Sequence, residues 1–117
     1  MTDRHILVAD DDADDRFLVK AAFEDNGILN PILFFGDGEG LLEYLAIKLS
    51  KTVPLLIFLD LKRPKLDGRD ILRAVRTDNK WRPVPIIIFT TSTAPDDIRA
   101  AYDLGANCYI VKPVQLR

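Results

Sequence analysis

Five aspartates fall within six residues of the stretch HILVADDDADD, at Asp10, Asp11, Asp12, Asp14 and Asp15. Three other chemically capable groups follow short apolar runs elsewhere. LLIFL ends in Asp60, IIIF ends in Thr90-Thr91-Ser92, and CYIV ends in Lys112-Pro113. Carboxylates repel one another, and three or more held close together need a compensating cation to stay ionised. A hard ion such as Mg²⁺ meets that need, taking one or two carboxylates and keeping several waters. Such an ion, an ammonium and a hydroxyl together suit a phosphoryl group, because they neutralise the charge on its oxygens. A carboxylate can itself be the nucleophile and become an aspartyl phosphate.

These residues need elements that deliver them to one place. Ile6–Ala9, Ile32–Phe35, Leu55–Leu59, Ile86–Phe89 and Cys108–Val111 are short, continuous apolar runs, the pattern of strands buried on both faces of a parallel sheet. Segments of helical period separate them. The apolar stripes are Phe17, Leu18, Ala21 and Ala22; Leu41, Leu42, Leu45, Ala46 and Leu49; Ile71, Leu72 and Val75; and Ile98, Ala101 and Tyr102. Asp12 is placed to cap the first helix, with Asp15 three positions on, and Gly27 to end it. Asp96 and Asp97 suit the first turn of the fourth helix. The resulting order, βαβαβαβαβ, predicts an α/β doubly wound sheet with right-handed crossovers. Ligands of such sheets bind at the carboxyl ends of the strands, which is where the acids, hydroxyls and lysine fall.

The chain has 117 residues, room for one domain with its own core, and a net charge of -2 gives no reason to expect non-specific binding to nucleic acid or membrane surfaces. Cys108 is the only cysteine, so no disulfide framework forms within one chain. No basic-then-apolar leader and no run long enough to span a bilayer is present, so the expected compartment is the cytoplasm.

The pieces ILVADD (6–11), LDLKRPKLDG (59–68), PIIIFTTS (85–92) and GANCYIVKP (105–113) resemble, in order and spacing, the receiver domain of two-component response regulators. The likeness spans essentially the whole chain, so residues 1–117 are expected to be one receiver domain. FGDGEGLLEYL (35–45) is similar, more narrowly, to single-domain receivers paired with bacterial phytochrome histidine kinases. The resemblance implies a flavodoxin-like five-stranded sheet of order 2-1-3-4-5. It implies that Asp60 is the phosphoacceptor, and that Asp10, Asp11, Asp60 and the backbone carbonyl of Lys62 hold Mg²⁺ or Mn²⁺. By the same likeness Thr90 and Lys112 bind the phosphoryl oxygens, Thr90 and Tyr109 form the conformational switch, and Pro113 follows a cis peptide bond. Gly68 closes the loop beyond Asp60, where a positive φ is expected. A sensor histidine kinase would be the phosphodonor, and with no DNA-binding segment following, the expected output is a protein–protein contact, a phosphorelay step or dimerisation.

The chain departs from the family pattern in three places. Lys62 and Arg63 stand beside the acceptor, and Lys62 with Ser92 is expected to tune the lifetime of the aspartyl phosphate. Four helices are evident, and the usual fifth is absent or truncated after Pro113. A second copy of the chain is then expected to cover the bare face, or the fold to be destabilised. Asp12, Asp14 and Asp15 match no family position and read as a cap and a solvated turn. An EF-hand is excluded because Asp15 and Ala21 stand where its glycine and glutamate belong. His5 reads as a strand-start residue, Trp81 as loop packing and Cys108 as a small buried hydrophobe. Two rival readings fit the same residues. A haloacid-dehalogenase-like phosphatase would use the D-x-D of Asp10 and Asp12, and a pseudo-receiver would keep the fold without being phosphorylated.

Overall fold

A computed structural model describes residues 4–47, 53–61 and 68–113. Its elements run β1 (Ile6–Ala9), α1 (Ala13–Asp25), β2 (Ile32–Phe35), α2 (Gly38–Ile47), β3 (Leu56–Leu59), α3 (Gly68–Thr77), β4 (Ile86–Thr90), α4 (Pro95–Asp103) and β5 (Cys108–Val111). The five strands form one parallel sheet of order β2-β1-β3-β4-β5. Strand order reverses between β1 and β3, so the crevice at their carboxyl ends is the topological switch point.

β1 is buried at every residue, and β3 and β4 at nearly every one, as continuous apolar runs require. On one face, Leu7, Ile57, Leu59, Ile86 and Ile88 pack against Leu41 and Leu45 of α2, Ile71, Leu72 and Val75 of α3, and Ala101 of α4. Trp81 belongs to this core and is 5 % exposed, in line with the packing role expected for it. On the other face, Ile6, Val8, Phe58 and Phe89 meet α1 through Val19 and Phe23. The rings of Phe23, Phe58 and Phe89 stack edge-to-face in a row, with centroids 5.6 and 6.1 Å apart.

The α1 stripe differs from the expected one. Val19 and Phe23 face the sheet, while Phe17 is 72 % exposed and Leu18 39 %. Apolar residues occur on several sides of this helix, so periodicity alone does not select the inward side. Its ends follow the sequence. Asp12 Oδ1 accepts the N–H groups of Asp14 and Asp15, and Gly27, at φ 76°, ends the helix in a left-handed turn closed by Ile28 N–H on Phe23 O. Leu49 and residues 114–117 lie outside the described residues, and the expectation about a fifth helix falls there. Among the described residues no helix is long and apolar enough to cross a membrane.

Arg76 of α3 fixes the start of β5. Its guanidinium donates to Gly105 O at 2.9 Å, Val84 O at 2.8 Å and Asn107 Oδ1 at 2.7 Å. Asn107 Oδ1 in turn accepts Ile86 N–H. The edge strand is thereby registered against β4, and that register decides where Tyr109 and Lys112 emerge.

Candidate functional site

The carboxyl ends of β1, β3 and β5 deliver Asp10, Asp60 and Lys112 to one point. Asp10 N–H bonds to Phe35 O, Asp60 N–H to Ala9 O and Lys112 N–H to Thr90 O, so all three backbones are extensions of the sheet ladder. Lys112 Nζ lies 2.7 Å from Asp60 Oδ2, 3.0 Å from Asp10 Oδ2 and 2.5 Å from Asp15 Oδ2. Below it the ring of Phe89 stands 5.5 Å from the ammonium. The lysine side chain is only 7 % exposed, so this is a buried charge cluster rather than a surface ion pair.

Burial pulls the Lys112 pKa down, but hydrogen bonds from the ammonium to Asp15, Asp60 and Asp10 outweigh it and hold the pKa above the ordinary lysine value. Burial raises the pKa of Asp10, against the opposing pull of the Asp12 N–H and of Lys112. Asp10 Oδ1 accepts that N–H at 2.9 Å, and Arg16 donates to the Asp10 carbonyl at 2.7 Å. The aspartate is thus tied to the turn leading into α1.

A cavity of about 540 Å³ opens above the cluster, with Asp10, Asp11, Asp15, Asp60, Thr91, Thr93 and Lys112 among its lining residues. The donor set suits a hard divalent cation, since every ligand it offers is an oxygen. Among the described residues no three acidic, histidine or cysteine side chains are arranged to share a metal ion. The point on which Asp10, Asp15 and Asp60 converge is the ammonium of Lys112, so a cation held by Asp10 and Asp60 would share those carboxylates with the lysine. The Lys62 carbonyl, expected as a further ligand, lies outside the described residues, as does Arg63.

Thr90 is fully buried at the end of β4, and its Oγ1 accepts Ser92 N–H at 3.5 Å. Thr91 and Thr93, rather than Thr90, line the cavity. Tyr109 donates its hydroxyl to Ser92 O at 2.9 Å, joining β5 to the loop after β4. Ser92 Oγ donates to Asp97 Oδ2 at 2.5 Å and accepts Ala94 N–H at 3.2 Å. Asp97 also faces Arg69 of α3 at 3.6 Å. The serine side chain is thus bound into the amino end of α4.

Three expectations are corrected. Among the described residues no peptide bond is cis, so Lys112–Pro113 is trans; trans is the ordinary preference even before proline, and Lys112 reaches all three carboxylates with it. Gly68 has no positive φ. Its requirement is steric, because an added Cβ would lie 2.5 Å from Asp60 O and 2.9 Å from Leu61 Cα. Asp15 does not face water but pairs with Lys112, its side chain 14 % exposed. Sequence reasoning missed it because its partner lies at the far end of the chain, and helix position alone gave it only a capping role. The cap itself is Asp12, whose Oδ1 is taken up by two backbone N–H groups of α1.

Residues 6–117 match the family model for the response regulator receiver domain. The response regulator Rcp1 of Synechocystis sp. is 33 % identical over 115 residues, covering 96 % of this chain and 78 % of that protein. A probable methanogenesis regulatory protein, FilR2 of Methanothrix harundinacea, is 34 % identical over 111 residues, 93 % of this chain and 72 % of that one. The Mn²⁺-bound form of Rcp1 superposes with a TM-score of 0.86 at 32 % identity, over 97 % of this chain and 84 % of that one. The phosphorylated cyanobacterial phytochrome response regulator RcpA does so with a TM-score of 0.86 at 31 % identity, over 96 % and 82 %. The buried lysine among strand-end aspartates and the family match over nearly all of the chain agree: the chain belongs to the response regulator receiver domain family, whose function is phosphorylation on an aspartate.

Proposed function

We propose that Asp60 is the phosphoacceptor of a phosphorylation switch served by a sensor histidine kinase of the phytochrome type. The observation that carries the reading is the Lys112 ammonium 2.7 Å from Asp60 Oδ2, at the switch point of the sheet. An Asp60 oxygen forms a bond to the phosphorus of a phosphohistidine. The donor's P–N bond breaks, and the leaving imidazole takes up a proton. Lys112, already placed on Asp60, takes a phosphoryl oxygen in place of a carboxylate oxygen. Thr90 supplies its hydroxyl to another phosphoryl oxygen once it leaves Ser92 N–H.

Asp10, Asp11, Asp60 and the carbonyl of Lys62 would hold Mg²⁺ or Mn²⁺, which supplies charge neutralisation between acceptor and phosphoryl group. Movement of Thr90 acts on the loop that Tyr109 grips through Ser92 O, and so on α4 and β5, the surface a protein partner reads. Lys62 and Ser92 tune the lifetime of the phosphoryl group. A signalling role of this kind places the chain in the cytoplasm, at the output side of its kinase.

The phosphatase alternative needs Asp12 as a general acid. Asp12 instead spends Oδ1 on the N–H groups of Asp14 and Asp15, at 2.8 and 3.1 Å. Acetyl phosphate with Mg²⁺ separates the readings. A receiver gains one phosphoryl group by intact mass, and Asp60→Asn gains none. Repeated release of phosphate from added phosphate esters would favour the phosphatase. Absence of any modification of the wild type would favour the pseudo-receiver.

A further inference from the structure

Asp15 reaches the site from a helix, not from a strand end. It stands in the first turn of α1, held there by the Asp12 cap, and its Oδ2 lies 2.5 Å from Lys112 Nζ. An ammonium has three N–H donors. Lys112 places them on Asp10, Asp15 and Asp60. Its stem is fixed as well, by the Lys112 N–H on Thr90 O and by the Phe89 ring beneath the ammonium.

Two of the three acceptors, Asp10 and Asp60, are the carboxylates that a divalent cation would need. Lys112 and the cation would therefore draw on the same two carboxylates. Asp15 is the acceptor that this sharing leaves over. Resting on the reading of Asp10 and Asp60 as cation-holding groups, we propose that Asp15 is a positioning residue that keeps Lys112 at the cavity wall while Asp10 and Asp60 turn to the cation. Without it, the ammonium has only those two carboxylates to bind and holds them against the metal. Asp14 is the natural contrast, for it lines the same cavity and carries the same charge, but it is exposed.

Mn²⁺ binding to the full chain, followed by the paramagnetic resonance signal of the free ion, tests this without any turnover. Asp15→Asn is expected to weaken binding roughly three- to tenfold, the weight of one charge contact at a partly screened site. Asp14→Asn removes the same charge and is expected to change binding less than about twofold, since exposed charges are screened. Lys112→Met, which removes the competitor, is expected to bind at least as tightly as wild type. Asp15→Glu keeps a carboxylate within reach of Lys112 and is expected to recover most of the affinity, which a purely structural defect at α1 would not allow. Equal affinity of Asp15→Asn and wild type would overturn the proposal, as would equal losses in Asp14→Asn and Asp15→Asn, or weaker binding by Lys112→Met. Wild type that binds no Mn²⁺, or binds it undiminished after Asp60→Asn, would overturn the underlying site reading along with it.

Discussion

Among the described residues the two faces of the sheet are covered differently. On one, α2, α3 and α4 cover Leu7, Ile57, Leu59, Ile86 and Ile88, none of them more than 1 % exposed. On the other, α1 covers Ile6, Val8 and Phe58, and among the described residues an apolar groove of about 460 Å³ lies beside it, with Leu18, Ala22, Phe89 and Ile110 among its lining residues. The first face is a filled core and the main source of cohesion. The second is connected to the chemistry. Phe89 lies under the Lys112 ammonium, and α1 supplies both the Asp12 cap and Asp15. The filled core thus lies on the first face, whereas the second adds Asp15, the Asp12 cap and the Phe89 ring to the site.

That contrast breaks first at Ile57. Ile57→Ala opens a cavity in the filled face and is expected to cost about 2–5 kcal/mol in urea unfolding. A loss below about 1 kcal/mol would mean that this face is not close-packed. Gly68→Ala is expected to cost about 1–3 kcal/mol by overpacking and to slow phosphorylation by acetyl phosphate, because its new methyl group must push on the Asp60 carbonyl. A variant with wild-type stability and rate would show that the loop after β3 yields freely. The smallest effect belongs to the groove. Leu18→Ala, at a side chain already 39 % exposed, is expected to change stability by less than about 1 kcal/mol. A loss matching that of Ile57→Ala would erase the distinction between the faces.

Much of this architecture is legible in the sequence, for reasons that particular elements make clear. The runs ILVA, ILFF and CYIV coincide with β1, β2 and β5; β1 is buried throughout, as a continuous apolar run requires, while the edge strands β2 and β5 carry the same pattern although only partly buried. The stripe Ile71, Leu72, Val75 coincides with the buried side of α3 because charged residues fill its other sides. α1 was harder, since Phe17, Leu18, Val19, Ala21, Ala22 and Phe23 put apolar groups on several of its sides. Strand ends alone point to Asp10, Asp60 and Lys112, since the topology of a doubly wound sheet must bring them to one edge. Asp15 and the steric need at Gly68 were not legible, because each depends on contacts that neither periodicity nor spacing encodes.

Whether Asp60 receives the phosphoryl group is read directly by borohydride reduction. Acetyl phosphate and Mg²⁺ are followed by reduction and peptide mass mapping, which converts an aspartyl phosphate to homoserine. Homoserine is expected at position 60 and nowhere else, with none formed in Asp60→Asn. Homoserine at Asp10, Asp11 or Asp15 instead, or an Asp60 left unmodified while the chain is phosphorylated, would contradict it.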